Sequence, residues 1–130
     1  MMADATQLRL LVVDDEPTDA ELIVYRLRRS GFAVEWSRVD CEADFVRELP
    51  RAQAVICDYS MPIFTPFRAL ELLLAAGSRV PFLLVSGTVD HEIAAEIMRR
   101  GAAGYLHKDR LERLGPTLTD ALANHPADPS

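Results

Sequence analysis

The sequence predicts an α/β fold in which one parallel β-sheet is covered by helices on both faces. Five short apolar runs alternate with five segments whose apolar residues recur at helical spacing along the 130 residues. Strands that are buried on both faces of a parallel sheet form near-continuous apolar runs of this kind. The length is that of one domain with a sizeable core, and right-handed crossovers leave few possible topologies.

Each strand is predicted from an apolar run, and each helix from apolar residues at helical spacing followed by a stop signal. The predicted strands are Leu8–Val13, Ala33–Val39, Ala54–Cys57, Val80–Val85 and Ala103–His107. The helices are predicted from Ala20, Ile23, Val24 and Leu27, from Cys41–Leu49, from Phe67, Leu70, Leu73 and Leu74, from Ile93, Ala94, Ile97 and Met98, and from Leu111, Leu114, Leu118 and Leu122. Gly115-Pro116 is the candidate break point in the last helix.

The composition argues against several classes of protein. The net charge is −6 and no run of Lys or Arg exceeds two residues, whereas a nucleic-acid surface needs clustered positive charge. No apolar run approaches the about 20 residues that span a bilayer, and the first residues lack the pattern of a secretory signal. Cys41 and Cys57 are expected to be reduced thiols in a cytoplasmic protein.

Polar residues follow four of the predicted strands at the point where each strand ends. Asp14 and Asp15 follow the first strand and Asp58 the third. Ser86 follows the fourth strand and Lys108 the fifth. Because the carboxyl ends of parallel strands meet at one edge, where ligands bind, we expect these side chains to converge. Three converging carboxylates need a cation, and hard oxygen ligands suit Mg²⁺.

Each of these residues also has a simpler interpretation. Asp14 and Asp15 can stabilise the first turn of the following helix, in which Pro17 is well placed. Ser86-Gly87 alone is an ordinary turn signal, and a single lysine near a strand end is usually a solvated surface charge. The joint placement of residues at four strand ends favours the site.

The same set of residues suits phosphoryl transfer. A carboxylate such as Asp58 can act as a nucleophile and accept a phosphoryl group as an aspartyl phosphate. A metal neutralises charge during the attack, and Lys108 can act as a point charge on the phosphoryl oxygens. Ser86 can donate a hydrogen bond to the same group, and the small Gly87 leaves room for the phosphodonor.

The motifs DD, D-x-x-M-P, SGT and Y-x-x-K, in this order along the chain, resemble those of the response-regulator receiver domains of two-component phosphorelays. The resemblance covers about residues 8–124. It implies a CheY-like, three-layer α/β/α sandwich with a five-stranded parallel sheet in the order 2-1-3-4-5. On this basis we expect a receiver domain over 8–124, a disordered start over 1–7 and a tail or linker remnant over 125–130.

The resemblance also assigns roles to individual positions. Asp58 matches the phosphoacceptor, and Lys108 matches the phosphate contact. Asp14 and Asp15 match the acidic pair of the Mg²⁺ (or Mn²⁺) site, which Asp58 and the backbone carbonyl of Ser60 complete. Receivers take the phosphoryl group from a phosphohistidine on a sensor histidine kinase or a histidine phosphotransfer domain. They catalyse only their own phosphorylation and dephosphorylation, so no further enzyme activity is expected.

Ser86 and Tyr105 match the two switch residues of receivers, and Gly87 lies beside the first of them. Phosphorylation adds about 1 to 2 negative charges, toward which Ser86 turns while Tyr105 rotates inward. The surface of the fourth helix, fifth strand and fifth helix then changes. It is expected to control a downstream protein, an attached output domain or a homodimer, with no nucleic-acid or membrane partner. The alternative is that Tyr105 is a half-exposed aromatic residue of the strand with no role in switching.

Pro66 departs from the family pattern, which commonly has glycine after the D-x-x-M-P loop. Proline fixes φ and lacks an amide donor, and Thr65 can instead cap a helix with Pro66 in its first turn. The shape of this loop therefore stays open. Ser60 and Thr88 occupy positions where receivers vary the dephosphorylation rate, so the lifetime of the phosphate is open as well.

Two other functions remain as alternatives. A Mg²⁺-dependent phosphohydrolase with an aspartyl-phosphate intermediate would need a second Asp two residues after the nucleophile, where this chain has Ser60. A pseudo-receiver that binds partners without phosphorylation would usually lack an acid or the lysine, and all are present here. The chain is either a stand-alone regulator or part of a larger protein.

Overall fold

The computed structural model describes residues 6–61, 63–87 and 90–124, in which strands and helices alternate. The strands are β1 (Thr6–Val13), β2 (Phe32–Val39), β3 (Ala54–Asp58), β4 (Phe82–Ser86) and β5 (Gly104–His107). The helices are α1 (Pro17–Arg29), α2 (Glu42–Glu48), α3 (Pro66–Ala75), α4 (His91–Arg99) and α5 (Leu114–Asn124). Two 3₁₀ segments, Leu49–Arg51 and Lys108–Arg113, follow α2 and precede α5.

The five strands form one parallel sheet in the order β2-β1-β3-β4-β5. The predicted α/β class and strand order are therefore confirmed. The order reverses between β1 and β3, where connections leave the sheet in opposite directions, and such a point is where open α/β sheets bind ligands. Register places Val13 of β1 opposite Cys57 of β3, so the residues that follow them start at the same edge.

The hydrophobic core is divided into two halves by the sheet. Leu10 and Val12 of β1 face the half that includes α1 and α5, whereas Leu11 and Val13 face the half that includes α2, α3 and α4. This alternation is the two-residue period of a strand, and every second residue of β1 from Leu8 onward is buried on its own side. Burial of each such Leu or Val contributes about 1.5 to 3 kcal/mol, which fixes the strand ends in place.

The element boundaries correct two of the predictions. β1 begins at Thr6, whose amide donates to Gly31 O at 3.1 Å, so Thr6 and Gln7 belong to the strand and not to a disordered start. Residues 1–5 and the predicted tail 125–130 lie outside the described residues. The last predicted helix is also corrected, because Leu111 lies in the 3₁₀ segment and α5 begins only at Leu114. The interruption predicted near Gly115-Pro116 therefore falls just before these residues, and both lie within α5. Pro66 and Pro116 alike lie in a first helical turn, where no amide donor is needed.

The turn before α3 takes the form in which Thr65 caps the helix. Thr65 Oγ1 accepts a hydrogen bond from the amide of Arg68 at 3.2 Å, and Pro66 is the first helical residue. Pro66 is thereby compatible with the start of α3.

Both cysteines are free thiols, as predicted. Among the described residues no helix combines the length and the apolar character needed to cross a bilayer.

The close contact between α5 and the end of α1 depends on Gly115. A Cβ atom at this position would overlap both Cβ and Oγ of Ser30. We expect Gly115→Ala to lower the free energy of unfolding by about 1 to 3 kcal/mol through this overlap, measured by urea denaturation.

The control is the same substitution in a Ser30→Gly background, which removes both overlapping atoms. There Gly115→Ala is expected to be neutral or stabilising, because alanine is about 1 kcal/mol better than glycine in a helix. An equal loss in both backgrounds would contradict the assigned contact.

Candidate functional site

Three carboxylates meet where β1 and β3 end, and we call Asp14, Asp15 and Asp58 the acidic cluster. One carboxylate oxygen from each lies within 4.8 Å of the others. Asp14 and Asp58 are 0% and 3% exposed, whereas Asp15 is exposed. The predicted convergence of these residues is therefore present in the structure. Its cause is the neighbouring position of β1 and β3 in the sheet.

Backbone and side-chain hydrogen bonds hold Asp14 in place. Its amide donates to Val39 O at 3.0 Å, and its own carbonyl accepts from Arg38 Nη1 at 3.1 Å. Its Oδ1 accepts from the amide of Glu16 at 2.9 Å. Glu16 is the N-cap residue of α1 and makes no side-chain capping bond. Neither Asp14 nor Asp15 is therefore the N-cap of α1, since both precede that position.

Each buried carboxylate has one oxygen that accepts no hydrogen bond from the described residues, although that of Asp58 forms an ion pair with Lys108. Within the part of the chain that the structure describes, Asp14 Oδ2 and Asp58 Oδ1 have no hydrogen-bond partner. Burial raises the pKa of Asp14 to about 6, and the charge of Asp58 adds to this rise. A buried carboxylate whose oxygens are not fully hydrogen-bonded is costly. Oxygen atoms of this kind, gathered from three carboxylates, fit the ligand set of a hard divalent cation.

Lys108 brings the opposite charge to the acidic cluster. It directly follows β5, and its Nζ lies 3.2 Å from Asp58 Oδ1 and 2.8 Å from Asp19 Oδ2. The contact with Asp58 is an ion pair, and that with Asp19 is a hydrogen bond as well. Burial alone would lower the pKa of Lys108, but the hydrogen bond to Asp19 and the charge of Asp58 raise it above its ordinary value. Lys108 is thus a fixed positive charge.

Asp19 is a site residue that the sequence pattern did not identify. It lies in the first turn of α1, where an acidic residue is usually explained by the helix dipole. Its partner Lys108 is 89 residues away along the chain, so no local spacing joins the two. The available signal was its position one turn after the DD motif, on the helix that leaves the acidic cluster.

The other predicted residues lie at the same edge of the sheet. Ser86 is the last residue of β4, is 2% exposed and is paired with His107, which directly precedes Lys108. A Cβ at Gly87 would lie 3.7 Å from Lys108 Cδ, so this residue is next to the lysine stem. Tyr105 of β5 is partly buried and packs against the half of the core that contains α3 and α4.

Two further positions carry less information. Ser60 is exposed two residues after Asp58, and the role of its carbonyl stays a prediction. Thr88 lies outside the described residues.

Cys57 is fully buried beside Asp58, and burial raises the pKa of its thiol well above the ordinary value, with the charges of Asp58 and Asp14 adding to the rise. Its thiol therefore stays protonated near neutral pH.

Comparison with known proteins agrees with this geometry. The model of the response regulator receiver domain family matches residues 10–118. The chain therefore belongs to the response regulator receiver domain family, and the resemblance inferred from the motifs is confirmed.

Individual relatives extend this result. The chain is 31% identical over 121 residues to the transcriptional regulatory protein ZraR of Salmonella typhimurium, which is 91% of this chain but 27% of ZraR. The signal receiver domain of NarL from Mycobacterium tuberculosis superposes with a TM-score of 0.72 at 25% identity, over 92% of this chain and 96% of that one. The crystal structure of FixJ-N gives a TM-score of 0.77 at 22% identity, over 98% and 99%, which shows the shared fold.

Asp14 makes the stability of the metal-free protein depend on pH. Its pKa is raised from 3.8 to about 6 in the folded protein, so the folded state holds this proton more tightly than the unfolded state. Stability from this group is therefore present below about pH 4 and is lost as the pH rises to about 6. We expect Asp14→Asn to raise the free energy of unfolding at neutral pH by about 3 kcal/mol, measured by urea denaturation with a chelator present.

Asp15→Asn is the matched control, because it removes an equal charge from an exposed carboxylate that stays hydrated. A much smaller gain is expected for this variant. If both variants gained equally, net charge and not the burial of Asp14 would account for the effect.

Proposed function

We propose that this receiver domain accepts a phosphoryl group on Asp58 from a phosphohistidine of a partner protein, with Mg²⁺ bound by the acidic cluster. The observation that carries the proposal is the arrangement around Asp58. Its carboxylate is buried beside two further carboxylates, with Lys108 Nζ 3.2 Å from Asp58 Oδ1. Nucleophile, metal ligands and positive charge are thus present together.

The residues that would hold Mg²⁺ are Asp14, Asp15 and Asp58, with the backbone carbonyl of Ser60 as the further protein ligand. Two observations support this assignment: Asp14 Oδ2 accepts no hydrogen bond from the described residues, and Asp58 Oδ1 has only its ion pair with Lys108. Bound Mg²⁺ would neutralise charge on the carboxylates and on the phosphoryl oxygens. The exposure of Asp15 keeps one side of the cluster open to solvent and to a phosphodonor.

Asp58 supplies the nucleophile of the transfer. One carboxylate oxygen attacks phosphorus as the bond from phosphorus to the imidazole nitrogen of the donor breaks, and the donor histidine keeps the electron pair of that bond. Lys108 balances the charge that the phosphoryl oxygens bring, because its ammonium already lies beside Asp58. The domain returns to its unphosphorylated form by hydrolysis. Water attacks the same phosphorus, inorganic phosphate leaves and the Asp58 carboxylate is restored.

Ser86 and Tyr105 would report the new charge to the surface. Ser86 ends the strand next to β3, from which a hydroxyl can reach a phosphoryl group on Asp58. Tyr105 is partly buried on β5, the strand that follows α4 and precedes α5 along the chain. A reorientation of both would change the surface of α4, β5 and α5, and Gly87 lies between Ser86 and the stem of Lys108. The added charge of the phosphoryl group would thus shift the balance between two conformations of this surface.

The partners of the domain follow from its place in a signalling pair. A sensor histidine kinase or a histidine phosphotransfer domain would supply the phosphoryl group. Because the chain corresponds to 27% of ZraR, the output is either an attached domain or a separate protein, including a second copy of this chain.

The phosphohydrolase alternative is weaker because Ser60 occupies the position of its second acid. The pseudo-receiver alternative is weaker because the acids and the lysine all converge.

The proposal is tested by the intact mass of the protein after incubation with acetyl phosphate and Mg²⁺. We expect one phosphoryl adduct on the natural chain and none after addition of a chelator. Asp58→Asn keeps the shape of the side chain but removes the nucleophilic charge, so this variant should stay unmodified.

Three other results would point elsewhere. No adduct on the natural chain would favour a pseudo-receiver. An adduct that persists in Asp58→Asn would place the phosphoryl group on another residue. Steady turnover of a generic phosphate ester would favour a phosphohydrolase.

A further inference from the structure

Lys108 is shared between two carboxylates, only one of which belongs to the acidic cluster. Its Nζ lies 2.8 Å from Asp19 Oδ2 and 3.2 Å from Asp58 Oδ1. The shorter of the two contacts is the one with Asp19. The lysine that would receive a phosphoryl group is therefore already engaged by a carboxylate on α1.

The position of Asp19 is fixed by the helix that carries it. Asp19 lies in the first turn of α1, directly before Ala20, which is fully buried against the sheet. Its side chain is 38% exposed, whereas that of Lys108 is 25% exposed. The pair is thus partly shielded from solvent, where charge–charge interactions exceed those of fully exposed pairs.

We propose that Asp19 is a positioning residue that competes with the phosphoryl group on Asp58 for the ammonium of Lys108. By this competition it favours metal binding and opposes phosphoryl binding at the same site. The inference rests on the proposed function, since it concerns the phosphorylated form of Asp58.

The two effects have opposite signs for a simple electrostatic reason. The carboxylates of Asp19 and Asp58 both contact the single ammonium of Lys108, and those of Asp14 and Asp15 lie beside Asp58 in the acidic cluster. The charge of Asp19 attracts a divalent cation and also draws Lys108 away from Asp58, so both consequences favour Mg²⁺. An incoming phosphoryl group is negative, so it is repelled by Asp19 and must share Lys108 with it.

The test is the substitution Asp19→Asn, which keeps the size of the side chain and one acceptor oxygen but removes the charge. Mg²⁺ affinity is measured by calorimetry on the full chain. Beryllofluoride, a mimic of the phosphoryl group, is titrated at saturating Mg²⁺ and followed by NMR. We expect Mg²⁺ to bind about threefold or more weakly and beryllofluoride to bind about threefold or more tightly, with both changes shrinking at high salt.

The matched control is Glu21→Gln, which removes the same charge from an exposed residue on the same helix. It should change either affinity far less, because the charge at Glu21 is solvated and screened. Circular dichroism confirms that each variant is folded.

The outcomes separate the inference from the function on which it rests. Weaker binding of both Mg²⁺ and beryllofluoride by Asp19→Asn would show a merely structural role and overturn the inference. Unchanged affinities, or equal changes in Glu21→Gln, would overturn it as well. If the natural chain bound Mg²⁺ but no beryllofluoride, the proposed function itself would fail, and the inference with it.

Discussion

Two like charges buried at neighbouring strand ends are the constraint on which the rest of this structure depends. Two carboxylates about 4 Å apart repel by about 4 kcal/mol at an effective dielectric constant near 20, and burial adds to that cost. Asp14 and Asp58 are held in this arrangement because β1 and β3 are adjacent and are packed on both faces. The apolar core stabilises the sheet enough to keep the acidic cluster together.

The positive charge that partly compensates the cluster comes from the far end of the sheet. Lys108 follows β5, and the parallel orientation of the strands brings the end of β5 to the same edge as the ends of β1 and β3. Even so, one ammonium faces the acidic cluster and Asp19. An excess of negative charge therefore remains, and this excess is what makes the edge suited to a divalent cation. Local strain of this kind is typical of functional sites in otherwise consistent folds.

The sequence predicted the place of a site residue wherever that residue ends or directly follows a strand. Asp14, Asp58, Ser86 and Lys108 each end or directly follow an apolar run, so the parallel topology alone predicts that they share an edge. The family resemblance added the strand order, which hydrophobic periodicity cannot supply.

The sequence was uninformative where a contact depends on how a helix is rotated and packed. Asp19 meets Lys108 because the core residues of α1 orient the helix against the sheet, and no spacing along the chain encodes that rotation. The exact place of the interruption near Gly115-Pro116 was missed for a related reason. The pair breaks a helix interior, but in the first turn of α5 the glycine allows close contact with Ser30 and the proline loses no hydrogen bond.

The central claim is that the acidic cluster is a strained site that a divalent cation relieves. The most direct measurement is the free energy of unfolding as a function of Mg²⁺ concentration, by urea denaturation at neutral pH. A cation that binds the folded state alone stabilises it progressively above its dissociation constant, so stability should rise with Mg²⁺ and the rise should be lost in Asp58→Ala. A natural chain whose stability is indifferent to Mg²⁺ would contradict the account.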